Sequence, residues 1–91
     1  MDQEPTHKFI HVKVVGQVSS LGGELEVFFR IKESTPLWKL MAAYCRRIGM
    51  YEVQDFAFIF DQRLLRPHQT PKQVHMEDGD VIDALLNQTG S

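Results

Sequence analysis

A change of hydrophobic period at Thr35-Pro36 restricts the fold more than any other feature of this chain. Before it, apolar and polar residues alternate. After it, Leu37, Leu40, Met41, Tyr44, Cys45 and Ile48 fall at i, i+3, i+4, i+7, i+8 and i+11. The first spacing belongs to a half-buried strand and the second to one stripe of an amphipathic helix. Thr35 suits an N-cap, Pro36 the first helical position and Gly49 the helix end.

A helix with one apolar stripe needs an apolar sheet face to cover. In FIHVKVV, Ile10, Val12 and Val14 alternate with His11 and Lys13. In ELEVFFRIK, Leu25, Val27, Phe29 and Ile31 share one face, and Glu24, Glu26, Phe28, Arg30 and Lys32 the other. The Gly- and Ser-rich stretch from Gly16 to Gly23 joins these two strands as a hairpin. FAFIF (Phe56 to Phe60) puts its three phenylalanines on one face, and a short strand follows near Arg63–Leu65. Pro67 and Thr70-Pro71 interrupt the chain, PKQV reads as one helical turn, and Glu77 to Asp80 form an acidic turn around Gly79. VIDALL closes the sheet. The order of hairpin, helix and strands predicts an α+β domain with one main helix on a mixed sheet.

At 91 residues the chain is one domain, which buries roughly 60–65% of its unfolded surface and leaves no room for a deep active-site cleft. Met1 to Lys8 and Asn87 to Ser91 read as flexible polar tails around a domain spanning 9–86. The net charge of −2 supplies no global basic field for nucleic acid or a membrane surface, so neither is an expected partner. The chain is expected to be a monomer. Cys45 is the single cysteine, which rules out an intramolecular disulfide and favours a reducing compartment, nucleus or cytoplasm. MDQEPTHK lacks the profile of a signal peptide, and every apolar run falls short of the roughly 20 residues that span a bilayer.

Catalytic signatures are missing. Cys45 sits on the apolar helix stripe, where a packed thiol is the simpler reading than a nucleophile. His7, His11, His68 and His75 are scattered over tail, strand and loops, and the i, i+4 pair His7 and His11 is not on a helix. No phosphate-cradling glycine loop or cofactor fingerprint is present. The chain is expected not to be an enzyme, with no catalytic residue, no metal and no cofactor. Trp38 falls off the helix stripe and is expected to be at least partly exposed.

EVFFRIKESTPLWKLMAAYCRR resembles the second strand and helix of the small ubiquitin-like modifier (SUMO) proteins, and FAFIFDQRLLR with QTPKQVHMEDGDVIDALLNQTG resembles their second half. The wording is most similar to plant-type members, and the likeness runs from about Ile10 to Gly90. It implies a β-grasp, ubiquitin-like fold with a mixed sheet wrapped on one helix. Four departures stand out. The hairpin loop VSSLGGE is longer than the family pattern. Gln62 replaces a glycine after Asp61. Trp38 stands where a small or polar residue is usual. The chain ends Gly90-Ser91 where mature members end in two glycines.

The resemblance implies three sites. A groove between the second strand and the helix takes an apolar strand with acidic flanks, a SUMO-interacting motif, by β-augmentation. Its matching positions are Phe29, Ile31, Thr35, Leu40 and Tyr44, with Lys32, Lys39 and Arg47 as a cationic rim; the bland alternative is that the apolar members are plain core. The acidic turn, through Asp80 with Asp61, matches positions that contact the conjugating enzyme, against the alternative of a solvated turn. The tail, through Gly90 and Ser91, is the site of processing and conjugation. Ser91 leaves three explanations open: an engineered conjugation-dead form, a natural non-conjugated variant, or a longer chain cut short. The implied function is covalent attachment to target lysines, with SUMO-type activating and conjugating enzymes, SUMO proteases and motif-bearing proteins as partners. The rival reading is a docking domain that is never conjugated.

Overall fold

The computed structural model describes residues 8–18, 23–49 and 51–87. Strands β1 (Phe9–Val18) and β2 (Gly23–Lys32) form the expected hairpin. Helix α1 (Leu37–Ile48) follows, then a 3₁₀ turn at Val53–Asp55 and strands β3 (Phe56–Phe60), β4 (Arg63–Leu64) and β5 (Asp80–Leu86). The sheet order is β2-β1-β5-β3-β4. β1 and β5 are parallel, and the other pairs are antiparallel. This is the mixed five-stranded sheet with one helix expected of a β-grasp domain.

The two periods meet in one core. Ile10, Val12, Val14, Val27, Phe56, Phe58, Ile82 and Ala84 turn inward from the sheet. Leu37, Leu40, Met41, Tyr44 and Cys45 descend on them from α1. Tyr44 is fully buried and meets Phe56 and Phe58 edge-on, at centroid distances of 5.5 and 5.8 Å, a favoured aromatic geometry. Burial pushes the Cys45 thiol up, and Asp55 and Glu52 push it the same way, so the thiol stays protonated and packed.

The helix start departs from expectation. α1 begins at Leu37, and Pro36 is the cap residue at φ −59° and ψ 137°, with no side-chain cap bond from either neighbour. Thr35 instead closes a turn, its N–H donating to Lys32 O at 3.0 Å. The orphan amides of the first turn find backbone acceptors brought from far along the chain: Leu37 N–H donates to Gln69 O (2.8 Å) and Trp38 N–H to Pro67 O (3.0 Å). The helix end is as expected, with Gly49 left-handed at φ 85° and its N–H donating to Cys45 O.

PKQV makes a turn without becoming a helix. Thr70 and Gln73 exchange side-chain-to-backbone bonds (3.0 and 3.2 Å), and Met76 N–H donates to Pro71 O at 2.9 Å. Two residues assigned to the tails are tied to the domain: Lys8 O accepts from Glu33 N–H, and Asn87 N–H donates to Asp55 O. The rest of both tails, 1–7 and 88–91, lies outside the described residues, as does most of the hairpin loop. Trp38 is 47% exposed, as its place off the stripe predicts.

Candidate functional site

β2 forms one margin of the sheet, and among the described residues no strand pairs with its outer side. Backbone direction along β2 follows from a few bonds. His11 turns its N–H and C=O away from β2, toward Asp78 (2.7 Å) and Gly79 (2.7 Å). Lys8 turns toward β2, accepting from Glu33. With Phe9 opposite Lys32 and His11 opposite Arg30, the odd-numbered residues of β2 hydrogen-bond to β1. Glu24, Glu26, Phe28, Arg30 and Lys32 therefore present their backbone groups to the open side. A ready-made row of donors and acceptors of this kind is what strand addition requires.

Side chains sort by the same alternation. Phe29 and Ile31 turn to the helix side and are half-buried against the core. Between β2 and α1 lies a cleft of about 300 Å³, lined by Phe29, Ala43, Arg46 and Arg47. The candidate groove residues divide around it. Lys32 and Thr35 are half-buried, and Lys39 and Arg47 are exposed. Lys39 is not in the cleft wall; its Nζ lies 5.7 Å from the Trp38 ring. Leu40 and Tyr44 are 2% and 0% exposed and pack in the core beneath the groove, so the plain-core alternative holds for these two. Ala43 and Arg46 were not singled out from the sequence. Ala43 follows Leu40 by one short helical step, and a small residue there leaves the space that a larger one would fill.

The acidic turn is held by its own carboxylates. Asp80 accepts the Glu77 N–H at 2.7 Å, and Asp80 N–H donates to Glu77 O at 3.1 Å. Asp78 accepts both the His11 N–H (2.7 Å) and an Nδ1 contact from the same residue (2.8 Å). The His11 side chain, with its amide, holds the Asp78 carboxyl below the usual carboxylate range. Asp61 is exposed in the β3–β4 turn. Because β3 and β5 pair with Ile59 opposite Asp83, Asp61 and Asp80 come to the same end of the sheet. Asp80 is half-buried and engaged in its turn, and Asp61 is the freer of the two. Gly90 and Ser91 lie outside the described residues.

Asp61 and Gln62 both adopt positive φ, 54° and 65°. With Phe60 opposite Arg63, they are the central pair of a two-residue hairpin turn that favours Asn-Gly or Asp-Gly. The glycine missing at 62 is thus missing where the backbone wants it.

The chain's likenesses agree with this geometry. Residues 8–86 match the family model described as Ubiquitin-2 like Rad60 SUMO-like. Small ubiquitin-related modifier 2 of Arabidopsis thaliana is 54% identical over 81 residues, 89% of this chain and 73% of that protein. Ubiquitin-like protein pmt3/smt3 of Schizosaccharomyces pombe is 44% identical over 89 residues, 98% of this chain and 71% of that protein. Among solved structures, Caldiarchaeum Subterraneum Ubiquitin superposes with a TM-score of 0.76 at 15% identity, covering 92% of this chain and all of that one. That last likeness speaks for the fold alone. The match over residues 8–86 and the identity to a small ubiquitin-related modifier of a plant place the chain in the small ubiquitin-like modifier family.

Proposed function

We propose that this chain works as a protein modifier, joined through its C-terminal carboxylate to target lysines and read by partners that add a strand to β2. The observation that carries the reading is the open edge of β2 beside a cleft walled by Phe29 and Ala43 and rimmed by Arg46 and Arg47. A Val- or Ile-rich segment laid along that edge pairs its backbone with Phe28, Arg30 and Lys32. Its alternate side chains enter the cleft, and acidic flanks meet the two arginines. Asp61 and Asp80, at one end of the sheet, are the proposed contact for a basic surface of the conjugating enzyme. The expected partners are activating and conjugating enzymes, proteases that process the tail, and proteins with SUMO-interacting motifs, in nucleus and cytoplasm. The chain itself performs no reaction.

Two experiments test this. Titration of isotope-labelled protein with an apolar peptide bearing acidic flanks should shift amides within residues 27–47; shifts clustered elsewhere remove the groove. A thioester assay with activating enzyme, conjugating enzyme and ATP should charge Ser91→Gly faster than the chain as written, because glycine lacks the Cβ that a narrow enzyme channel excludes. A transition-state misfit of about 1.4 kcal/mol already lowers the rate tenfold. Failure of both forms to charge, with the peptide still bound, favours the docking-only reading.

A further inference from the structure

The exposed row of β2 is ordered by charge. Read along the strand, Glu24 and Glu26 come first, Phe28 stands in the middle, and Arg30 and Lys32 follow. Phe28 is 71% exposed, the most exposed large apolar residue described. These same residues turn their backbone groups to the open edge. Charges on an edge strand ordinarily keep other strands away. Here the order is self-complementary: turned by half a revolution about Phe28, the acids of one copy fall on the bases of another.

We propose that two copies of this chain pair antiparallel along β2, centred on Phe28. In that register Phe28 faces Phe28 of the second copy, Glu26 faces Arg30, and Glu24 faces Lys32, each pair occurring twice by symmetry. The register also satisfies the hydrogen-bond parity. Directly opposed residues that exchange both backbone bonds must all point outward, and residues 24, 26, 28, 30 and 32 do. On the helix side Val27 falls opposite Phe29, and Leu25 opposite Ile31, covering Leu25, Phe29 and Ile31, which are half-buried in one copy, while Val27 is already buried. Within each copy both charges lean toward β1, Glu26 to Lys13 Nζ at 3.6 Å and Arg30 over the Phe9 ring at 3.9 Å, so pairing turns these exposed side chains to the open edge. The pairing uses one strand from each copy, a small interface, so the chain is a monomer at micromolar concentration and pairs at about millimolar. It goes beyond the modifier reading and competes with it for one edge: a copy paired through β2 cannot receive a peptide strand there.

A charge exchange tests the pairing. Wild-type protein should show concentration-dependent sedimentation and slowed NMR diffusion up to about 2 mM, with amide changes centred on Phe28. Arg30→Glu/Lys32→Glu places four acids on each edge, and Glu24→Lys/Glu26→Lys places four bases. Each variant alone should pair at least about tenfold more weakly than wild type. Mixed in equal amounts, the two should associate about as tightly as wild type, since every opposed charged pair is again of opposite sign. Circular dichroism checks that both remain folded. A wild-type monomer at about 2 mM overturns the proposal, as does a reversed variant that pairs undiminished or a mixture that fails to associate. Wild-type protein that stays monomeric while still binding the acidic-flanked peptide assigns the edge to peptide alone, and leaves the modifier reading intact.

Discussion

The Tyr44 hydroxyl lies directly against the backbone of Gly16. A Cβ added at Gly16 would overlap that oxygen and come within 3.3 Å of Ala84 O. The hydroxyl is buried and finds no hydrogen-bond partner among the described residues, and burial, with Cys45 adding, raises its pKa. Glycine is required here for close approach, since its φ is not in the left-handed region.

Two substitutions follow from that contact. Gly16→Ala should destabilise the domain by about 1–3 kcal/mol through overpacking. Tyr44→Phe should be neutral or stabilising by about 1 kcal/mol, because it removes a buried polar atom that lacks a partner. In urea unfolding, the double variant should recover part of the Gly16→Ala loss. Strict additivity would show that the two residues do not interact.

Gln62→Gly should stabilise the fold. Gln62 sits at φ 65°, where a side chain costs about 1–2 kcal/mol that glycine avoids. Glycine's greater freedom in the unfolded chain offsets part of this, so a net gain of about 1 kcal/mol is expected in the urea midpoint. Gln62→Val, β-branched at the same angle, should move the midpoint the other way.

Core and groove should separate by mutation. Leu40→Ala should cost about 2–5 kcal/mol of stability, as for other buried leucines. Ala43→Leu should leave stability within about 0.5 kcal/mol while filling the cleft and weakening the acidic-flanked peptide about tenfold. Arg47→Glu should weaken the same peptide and flatten its salt dependence. Equal peptide binding by wild type and Ala43→Leu would place the peptide elsewhere.

The Asp78 carboxyl has a lower pKa in the folded chain than in the unfolded one. Its contribution to stability is therefore present above the unfolded value of about 3.9, and is lost as pH falls through the folded value. Asp78→Asn should lower the unfolding midpoint at neutral pH, and the gap to wild type should close as pH drops below about 4. A gap that stays constant through that window would mean that the carboxylate does not titrate with folding.

Much of the fold was legible because strands and helix announce themselves by period. The alternation through FIHVKVV and ELEVFFRIK and the stripe on α1 each name a buried face, and those faces meet. The Thr35 cap failed because the acceptors that replace it, Gln69 O and Pro67 O, arrive from a distant stretch of the chain and carry no side-chain signature. Phe29 and Ile31 were legible as helix-side residues of β2, since strand parity decides their direction. Leu40 and Tyr44 were ambiguous because one helical stripe serves both core and groove floor, and the depth of each residue depends on the sheet beneath. Ala43 was missed since a small residue signals a cleft only when the opposing wall is known. The meeting of Asp61 and Asp80 is likewise a product of strand register between segments far apart in the chain.

The parallel pairing of β1 with β5 has a mechanical consequence. The described domain begins at Lys8, just before β1, and ends at Asn87, just after β5. These strands run side by side in the same direction, with Val12 opposite Asp80 and Gly16 opposite Ala84. A pull applied between the two ends drags the strands along each other lengthwise. Every rung of that ladder is loaded together, instead of opening one after another as in a zipper. A load between Lys8 and Asn87 is thus met by the β1–β5 rungs in shear, all sharing it at once.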